Sequence, residues 1–540
     1  MPLPPKTFTR RLATGLSVLV LLAGTSCAAQ ADKSLVYCTE GNPQSFNAQV
    51  STSGTSVNAA SPIFNNLVEF GRGTQIITPA LAESYTVSDD GLVYDFRLRR
   101  NVQFHSNEHF TPSRPLNADD VLFSIERQWK SDHPYHNVGP ATYDYFRGMG
   151  LPTLLKSVEK LDDHTVRITL NRPEAPFLAD LAMPFLSIQS AEYADSLMKA
   201  KRPDLFDEEP IGTGPFRLVS YQRDLAIRYR AFDGYWQGRQ PLDNLIYSIT
   251  PNIAVRLNKL RSGECHVMIF PNPAELGKIE KDPNLVIEQQ DGKNVAYMAL
   301  NTRKPPLDDV RVRRAVTLAI DKRTLVDAVY QNGGRPAKNP IPPGMWSYDD
   351  SIEDHPFDPV AARSLLIEAG YPEGFTLDLW YPPVTRPYMP NGKRAAEMIR
   401  ENLERIGIKV TLKTENWGNY RSRVTQGEQD MVIYGWTGDN GDPDNFLYFL
   451  LSCTGVHPGG SNIARWCNPD FEEQITKAKA DNDIEKRAAY YRKAQKIFNR
   501  EMPWFPIANT FIAVVHRKEV KNYTNNLFKQ DFSGVDMEAQ

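Results

Sequence analysis

Apolar and polar residues change their rhythm several times along this chain, and each change marks an element. Leu35-Val36-Tyr37 reads as a short buried strand, and Thr52-Ser53-Gly54-Thr55 as a polar turn ahead of an apolar run from Ile63 to Phe70. Two alternating segments, Ser84 to Val87 and Leu92 to Leu98, flank the turn-forming Ser88-Asp89-Asp90-Gly91, which is the pattern of a hairpin. Lys160 to Asn171 repeats it, with Asp162-Asp163 as the turn and Val166, Ile168 and Leu170 on one face of the returning strand. From about Phe375 the rhythm is that of an α/β unit. Phe375 to Tyr381 is strand-like, Lys393 to Ile406 is an amphipathic helix that Gly407 can end, and Ile408 to Leu412 alternates again. Met431 to Gly435 is a further apolar strand, followed by a Gly- and Asp-rich loop from Thr437 to Asn445.

Two strands therefore end in unusual loops. Ligands of open α/β sheets bind beyond the carboxyl ends of strands, and Arg386 and Asp439 each lie a few residues past such an end, so both are candidates for one cleft. Position alone does not make them converge, and each reads equally well as a surface-loop residue. No repeat of 20 to 50 residues and no low-complexity tract interrupts the chain.

A chain of 540 residues outgrows a single core, so two or three domains are expected, and 24% charged with 41% apolar residues is the composition of a soluble globular protein. Lys6, Arg10 and Arg11 precede an apolar stretch from Leu12 to Gly24, and Ala29-Gln30-Ala31 offers a small-x-small cleavage pattern, so residues 1–31 read as a cleaved export signal. As a membrane anchor the stretch is too short, because about 20 apolar residues are needed to span a bilayer. Lipidation of Cys27 is the minor alternative, since Gly24-Thr25-Ser26 lacks the usual upstream Leu, and Arg10-Arg11 is a weak twin-arginine pattern. Removing three of the 62 basic residues and none of the 65 acidic ones leaves a net charge near -6, which gives no sign of a nucleic-acid partner. The exported chain keeps Cys38, Cys265, Cys453 and Cys467, an even number in a compartment where disulfides persist. Three pairings are open. Cys453 and Cys467 close a small loop easily, which leaves Cys38 with Cys265; a zinc site is disfavoured because no C-x-x-C pair is present.

Catalytic motifs are lacking. Ser157-Val158-Glu159-Lys160 fits an S-x-x-K pattern, but no K-T-G triplet accompanies it and the segment runs into a strand. There is no H-E-x-x-H, G-x-S-x-G, phosphate-binding P-loop or dinucleotide-binding glycine motif, and His105 and Glu108 are too isolated for a metal pair. The weight shifts toward a binding protein.

The segment PALAESYTVSDDGLVYDFRLRRNVQFH from Pro79, followed by Leu116-Asn117-Ala118-Asp119-Asp120-Val121, resembles the family 5 extracellular solute-binding proteins. Pro210 to Phe216, Asp233-Gly234-Tyr235-Trp236 and Asp309 to Ile320 extend the likeness over the mature chain. Val36-Tyr37-Cys38, RPEAPFLADLAM from Arg172 and GWTGDNGDPDNF from Gly435 are similar to its dipeptide-binding branch. The resemblance implies an α/β, two-lobed "Venus flytrap" with an additional subdomain. Its first domain is expected over residues 32–64, 205–290 and 508–540, the second over 65–204, and the third, forming the other lobe, over 291–507. It further implies a monomeric, periplasmic receptor that takes up dipeptides for the membrane permease subunits of an ABC importer, with no cofactor, no metal and no catalysis. Longer or antimicrobial peptides, haem and glutathione are the alternative ligands within the family, and a secreted peptidase is the alternative of another class. The segments carrying peptide contacts match Thr52-Ser53-Gly54, Arg386-Pro387-Tyr388 and Trp436-Thr437-Gly438-Asp439, and the family's two disulfides match Cys38–Cys265 and Cys453–Cys467.

Physical chemistry suits such a set to a zwitterion. A dipeptide extends about 7 Å at about 3.5 Å per residue, so one fixed anion and one fixed cation measure its length. Asp439 would take the ammonium, and Arg386, with its planar fork, the carboxylate. Trp436 would wall a side-chain pocket or else serve in core packing.

Overall fold

The computed structural model describes residues 1–5, 32–74, 76–139, 143–526 and 529–538. The chain divides into a short N-terminal unit, Met1–Asp32, and a body, Lys33–Gln540. Beyond its first five residues the expected export signal, with Lys6, Arg10, Arg11 and Cys27, lies outside the described residues. No helix among the described residues is long and apolar enough to cross a membrane.

The body is a mixed α/β structure around one large twisted sheet and a separate four-stranded antiparallel sheet. The smaller sheet is made by the two expected hairpins. Ala82–Val87 pairs with Val93–Leu98, which pairs with Thr165–Leu170 and through it with Leu155–Asp162. Gly91 sits at φ +68° in the first turn, a conformation that costs glycine nothing. Val166, Ile168 and Leu170 are buried in the core as the alternation requires.

In the large sheet, Ser34–Thr39 lies between Asn244–Ile249 and Val267–Ile269 with both neighbours parallel, and it is accordingly apolar and buried. Cys38 at its end is bonded to Cys265, with Cα atoms 5.9 Å apart, and Cys453 is bonded to Cys467 at 4.7 Å. The α/β unit forms as its periodicity requires. Phe375–Trp380 pairs in parallel with Ile408–Lys413 and with Met431–Thr437, and helix Gly392–Glu404 connects the first two. One 14-residue strand, Trp504–Arg517, joins the two halves of the sheet. Its C-terminal part pairs with Leu285–Asp291 and its N-terminal part with Asn294–Leu300.

One local expectation is corrected. Thr52 to Thr55 is not a free turn: Gly54 opens a helix, Gly54–Ala60, and Ser53 is its N-cap. Ser51 and Ser56 hold the entry, the Ser51 hydroxyl accepting from Ser53 N at 3.1 Å and the Ser56 hydroxyl from Gln44 N at 2.9 Å.

Candidate functional site

Because Phe375–Trp380 and Met431–Thr437 are adjacent and parallel, the loops that follow them leave the sheet at the same end. The first loop also folds back onto the second strand. Tyr388 packs its ring on Gly435 within Met431–Thr437, where a Cβ would collide with it, so glycine is required there for the close approach.

Arg386 is held in a tight loop by reciprocal backbone hydrogen bonds with Met389, each 3.0 Å. Its guanidinium is buried, stands 4.8 Å above the Trp417 ring, and places Nη1 3.5 Å from Glu40 Oε1. Glu40 follows the strand Ser34–Thr39 and accepts from the Thr55 hydroxyl at 2.6 Å and the Thr39 hydroxyl at 3.1 Å. A Cβ on Gly54 would lie 3.9 Å from Arg386 Nη2, so the start of helix Gly54–Ala60 faces the fork. Arg386 Nε is buried with no hydrogen-bond partner among the described residues, a donor left for a further acceptor. Burial raises the Tyr388 phenol while the nearby arginines Arg386 and Arg421 oppose the shift. The Pro387 carbonyl is taken by the Thr510 hydroxyl at 2.8 Å and that of Tyr388 by the Tyr330 hydroxyl at 3.0 Å, which anchors the segment to the long shared strand.

At the other loop, Trp436 Nε1 and Asp439 N both donate to Asn445 Oδ1, at 2.8 and 3.0 Å, which ties the strand end to the following helix. Gly438 N donates to Lys293 O at 2.7 Å, and a Cβ there would lie 2.6 Å from the Phe446 ring. Thr437 is paired opposite Asn294. Trp436 belongs to the core, packing 4.9 Å from Phe449, and its ring also meets Tyr145 edge-on at 6.0 Å. The Asp439 carboxylate accepts a short hydrogen bond from the Tyr145 hydroxyl. Burial pushes the Asp439 carboxyl up to about 7 against the opposing effect of that bond.

The structure thus brings Arg386, Tyr388, Gly54 and Thr52 together on one side and Trp436 and Asp439 on the other, bridged through Tyr388 and Gly435. Ser53 serves the helix cap, and Pro387 and Thr437 serve the backbone frame.

Several residues that sequence reasoning missed complete the region. Glu40 and Tyr145 are in direct contact with the two charged candidates. Arg421, on helix Trp417–Gln426, donates to Thr52 Oγ1 and, at 3.0 Å, to Gln44 Oε1. Beside the Asp439 loop, Glu174, Asp180 and Asp444 are buried with one carboxylate oxygen of each within 4.8 Å of the others. Lys479 Nζ lies 2.7 Å from Glu174 Oε1, 3.6 Å from Asp444 Oδ2 and 3.5 Å above the Tyr448 ring. Asn440 donates to Asp180 Oδ1 at 2.9 Å, and Arg487 pairs with Asp442 at 2.8 Å. Burial first, and then the neighbouring Asp444, raises Asp180, while Asp444 is pushed up to about 7 chiefly by burial. The run of Asp439, Asp442 and Asp444 was a visible signal, but its partners lie far along the chain, Arg487 45 residues from Asp442 and Tyr145 294 residues from Asp439. A cavity of about 1560 Å³ is lined by Gln44, Asp144 and Arg421 among others, while the site residues expected from the sequence are not part of its lining.

The family model for bacterial extracellular solute-binding proteins, family 5, matches residues 77–458. The dipeptide-binding protein of Escherichia coli (strain K12) is 48% identical over 529 residues, covering 98% of each chain. Heme-binding protein A of Haemophilus influenzae is also 48% identical, over 520 residues covering 96% of this chain and 95% of that one. Among solved structures, the dipeptide binding protein from Pseudoalteromonas sp. SM9913 in complex with Met-Leu superposes with a TM-score of 0.90 at 36% identity, covering 94% of this chain and 100% of that one. With a two-lobed periplasmic-binding-protein fold and relatives matched over nearly its whole length, this chain belongs to the family 5 bacterial extracellular solute-binding proteins.

Proposed function

We propose that this protein captures dipeptides between its two lobes and delivers them to the permease of an ABC importer, as a periplasmic receptor and not as an enzyme. The observation that carries this reading is the pairing of opposite charges at one sheet end. Arg386 and Asp439 leave adjacent parallel strands, and each meets a residue of a distant segment, Glu40 or Tyr145. Such a pair suits a zwitterion whose ammonium rests on Asp439 and whose carboxylate rests on Arg386. The start of helix Gly54–Ala60 faces the Arg386 fork, so Thr52, Ser53 and Gly54 would lie at the carboxylate end, and Tyr388 and Trp436 would wall the space between.

The lobes of this reading are residues 32–290 with 508–540, and residues 291–507. Their junction falls where the strand Trp504–Arg517 changes partners, between its pairing with Asn294–Leu300 and with Leu285–Asp291, a natural place for a hinge. Residues 1–31 direct export and are removed, and the mature receptor acts as a monomer.

Titration calorimetry with a dipeptide, the same peptide acetylated at its amino end, and haemin tests the reading, the relative named heme-binding protein A making haemin the informative control. Saturable binding of the free dipeptide, a decrease in radius of gyration by small-angle scattering, and intact peptide recovered afterwards are expected. Binding of haemin with no binding of dipeptide would assign the protein to another ligand, and recovery of free amino acids would make it a peptidase.

A further inference from the structure

Arg421 is a cation that the proposed dipeptide clamp does not use. Among the described residues its hydrogen-bond acceptors are neutral oxygens, Gln44 Oε1 at 3.0 Å and the Thr52 hydroxyl. Asp144 lines the same cavity and interacts with it electrostatically. Neutral acceptors give a guanidinium weaker hydrogen bonds than a carboxylate does, because charge-assisted bonds are about twice as strong.

The placement of Arg421 is rigid. Trp417 and Arg421 are one turn apart on helix Trp417–Gln426, so they share a face, and Trp417 is the ring beneath Arg386. The helix is capped by Asn416, and Tyr420 fixes it to the strand by donating to Ile433 O at 2.5 Å. Both arginines act electrostatically on the Tyr388 phenol. Arg386, however, already faces Glu40 at 3.5 Å, whereas Arg421 opens on the 1560 Å³ cavity, whose walls include Gln44, Val50, Asp144 and Gln426. Neither Arg386 nor Asp439 lines this cavity, so its volume lies outside the clamp, which a dipeptide backbone of about 7 Å would span. A group reaching into it comes from a side chain or from a further residue.

We propose that Arg421 is a second carboxylate receptor, reading an acidic group carried beyond the dipeptide backbone. That group is either the side chain of a C-terminal Asp or Glu or the C-terminal carboxylate of a tripeptide. The inference rests on the dipeptide-receptor reading and adds a substrate preference to it. Planar fork geometry favours two parallel hydrogen bonds to a carboxylate, released from Gln44 and Thr52. Arg217, Arg223 and Arg230 also line the cavity, and the Arg421 variants separate its contribution from theirs.

Calorimetric titration of the wild type, Arg421→Met and Arg421→Lys with Ala-Glu, Ala-Gln, Ala-Ala-Ala and the C-terminal amide of Ala-Ala-Ala tests this. The wild type is expected to prefer the acid over its neutral match by about tenfold in at least one arm, the size of one charge-assisted bond. Arg421→Met should lose that ratio while binding Ala-Gln as the wild type does, and Arg421→Lys should recover part of it. A preference in the Glu/Gln arm identifies a side-chain carboxylate, and one in the tripeptide arm identifies the chain terminus. A ratio near one in both arms, or a ratio unchanged in Arg421→Met, overturns the proposal. Loss of Ala-Gln binding in Arg421→Met, in a variant whose circular dichroism is native, would overturn it as well by making Arg421 part of the dipeptide site itself. A wild type that binds none of the four peptides would refute the receptor reading and this inference with it.

Discussion

At one end of the candidate site the Arg386 guanidinium stands 3.5 Å from the carboxylate of Glu40; at the other, beside the Asp439 loop, the buried carboxylates of Glu174 and Asp444 stand near the ammonium of Lys479. Both ends are partly or fully removed from water, and they meet the cost in different ways. A guanidinium cannot shed its charge at any ordinary pH, so Arg386 lies on the Trp417 face, and Arg421, on the same helix as that ring, lies on the oxygens of Gln44 and Thr52. Carboxylates can take up protons, and at this end burial pushes both Asp439 and Asp444 up to about 7. The basic end is therefore fixed in charge and the acidic end adjustable. In the proposed clamp, a zwitterion lying between them would meet a permanent cation at its carboxylate and a carboxyl at its ammonium that ionises on contact.

The largest expected break in this contrast comes from Lys479→Met. Removing the cation leaves Glu174, Asp180 and Asp444 buried without it, and breaking a buried pair in this way costs about 3–5 kcal/mol. Denaturant unfolding should show that loss growing with pH. Carboxyls whose folded pKa is raised bind more protons folded than unfolded, so their penalty is absent below about pH 4, the ordinary carboxyl range, and develops as pH rises toward and through 7. A loss that does not vary between pH 5 and pH 8 would mean that the cluster is already neutral.

Affinity for the peptide should change with pH in the opposite direction. An ammonium on Asp439 favours the ionised form, so binding expels the proton that the free site holds below about pH 7. Dissociation constants are expected to weaken by up to about tenfold per unit as pH falls from 7 toward 5, at about 1.4 kcal/mol per unit. Asp439→Asn should flatten that profile while Glu40→Gln leaves it intact.

Tyr145→Phe sharpens the comparison by removing the hydroxyl on Asp439 alone. A hydrogen bond to a charged group is worth about 1.5–3 kcal/mol, but the peptide ammonium supplies a replacement in the bound state. The net change in affinity should therefore be at most about 1 kcal/mol, and the pH midpoint of binding should move upward, because Tyr145 lowers the Asp439 carboxyl. A downward move would contradict the role given to Tyr145.

Much of this frame was legible from periodicity. The two hairpins, the helix Gly392–Glu404 and the strands Phe375–Trp380 and Met431–Thr437 follow from local alternation and turn residues, and Arg386 and Asp439 stood out because they follow strand ends. What could not be read are contacts made across the chain. Tyr145 and Asp439 are 294 residues apart, and no local pattern says which loop faces which. Lys479 is equally silent, since it shares the helix Pro469–Ala480 with Lys477, a residue of the same type that pairs with Glu473 in solvent. Gly54 reads as a turn because the helix it opens, Gly54–Ala60, has only one larger apolar residue, Val57, among its seven and so no apolar stripe to announce it.

The opposed charges at the two ends are tested most directly by two double-mutant cycles, in which Asp439→Ala is crossed with N-acetylation of the dipeptide and Arg386→Ala with amidation of its carboxyl end. Truncating one partner of a buried charge pair is expected to cost about 2–5 kcal/mol, about 30-fold to several thousand-fold in dissociation constant. Each matched modification should then do little further harm to its own variant and full harm to the other, giving a coupling energy within each cycle. Strictly additive losses, with no coupling in either cycle, would contradict the assignment of Asp439 to the ammonium and Arg386 to the carboxylate.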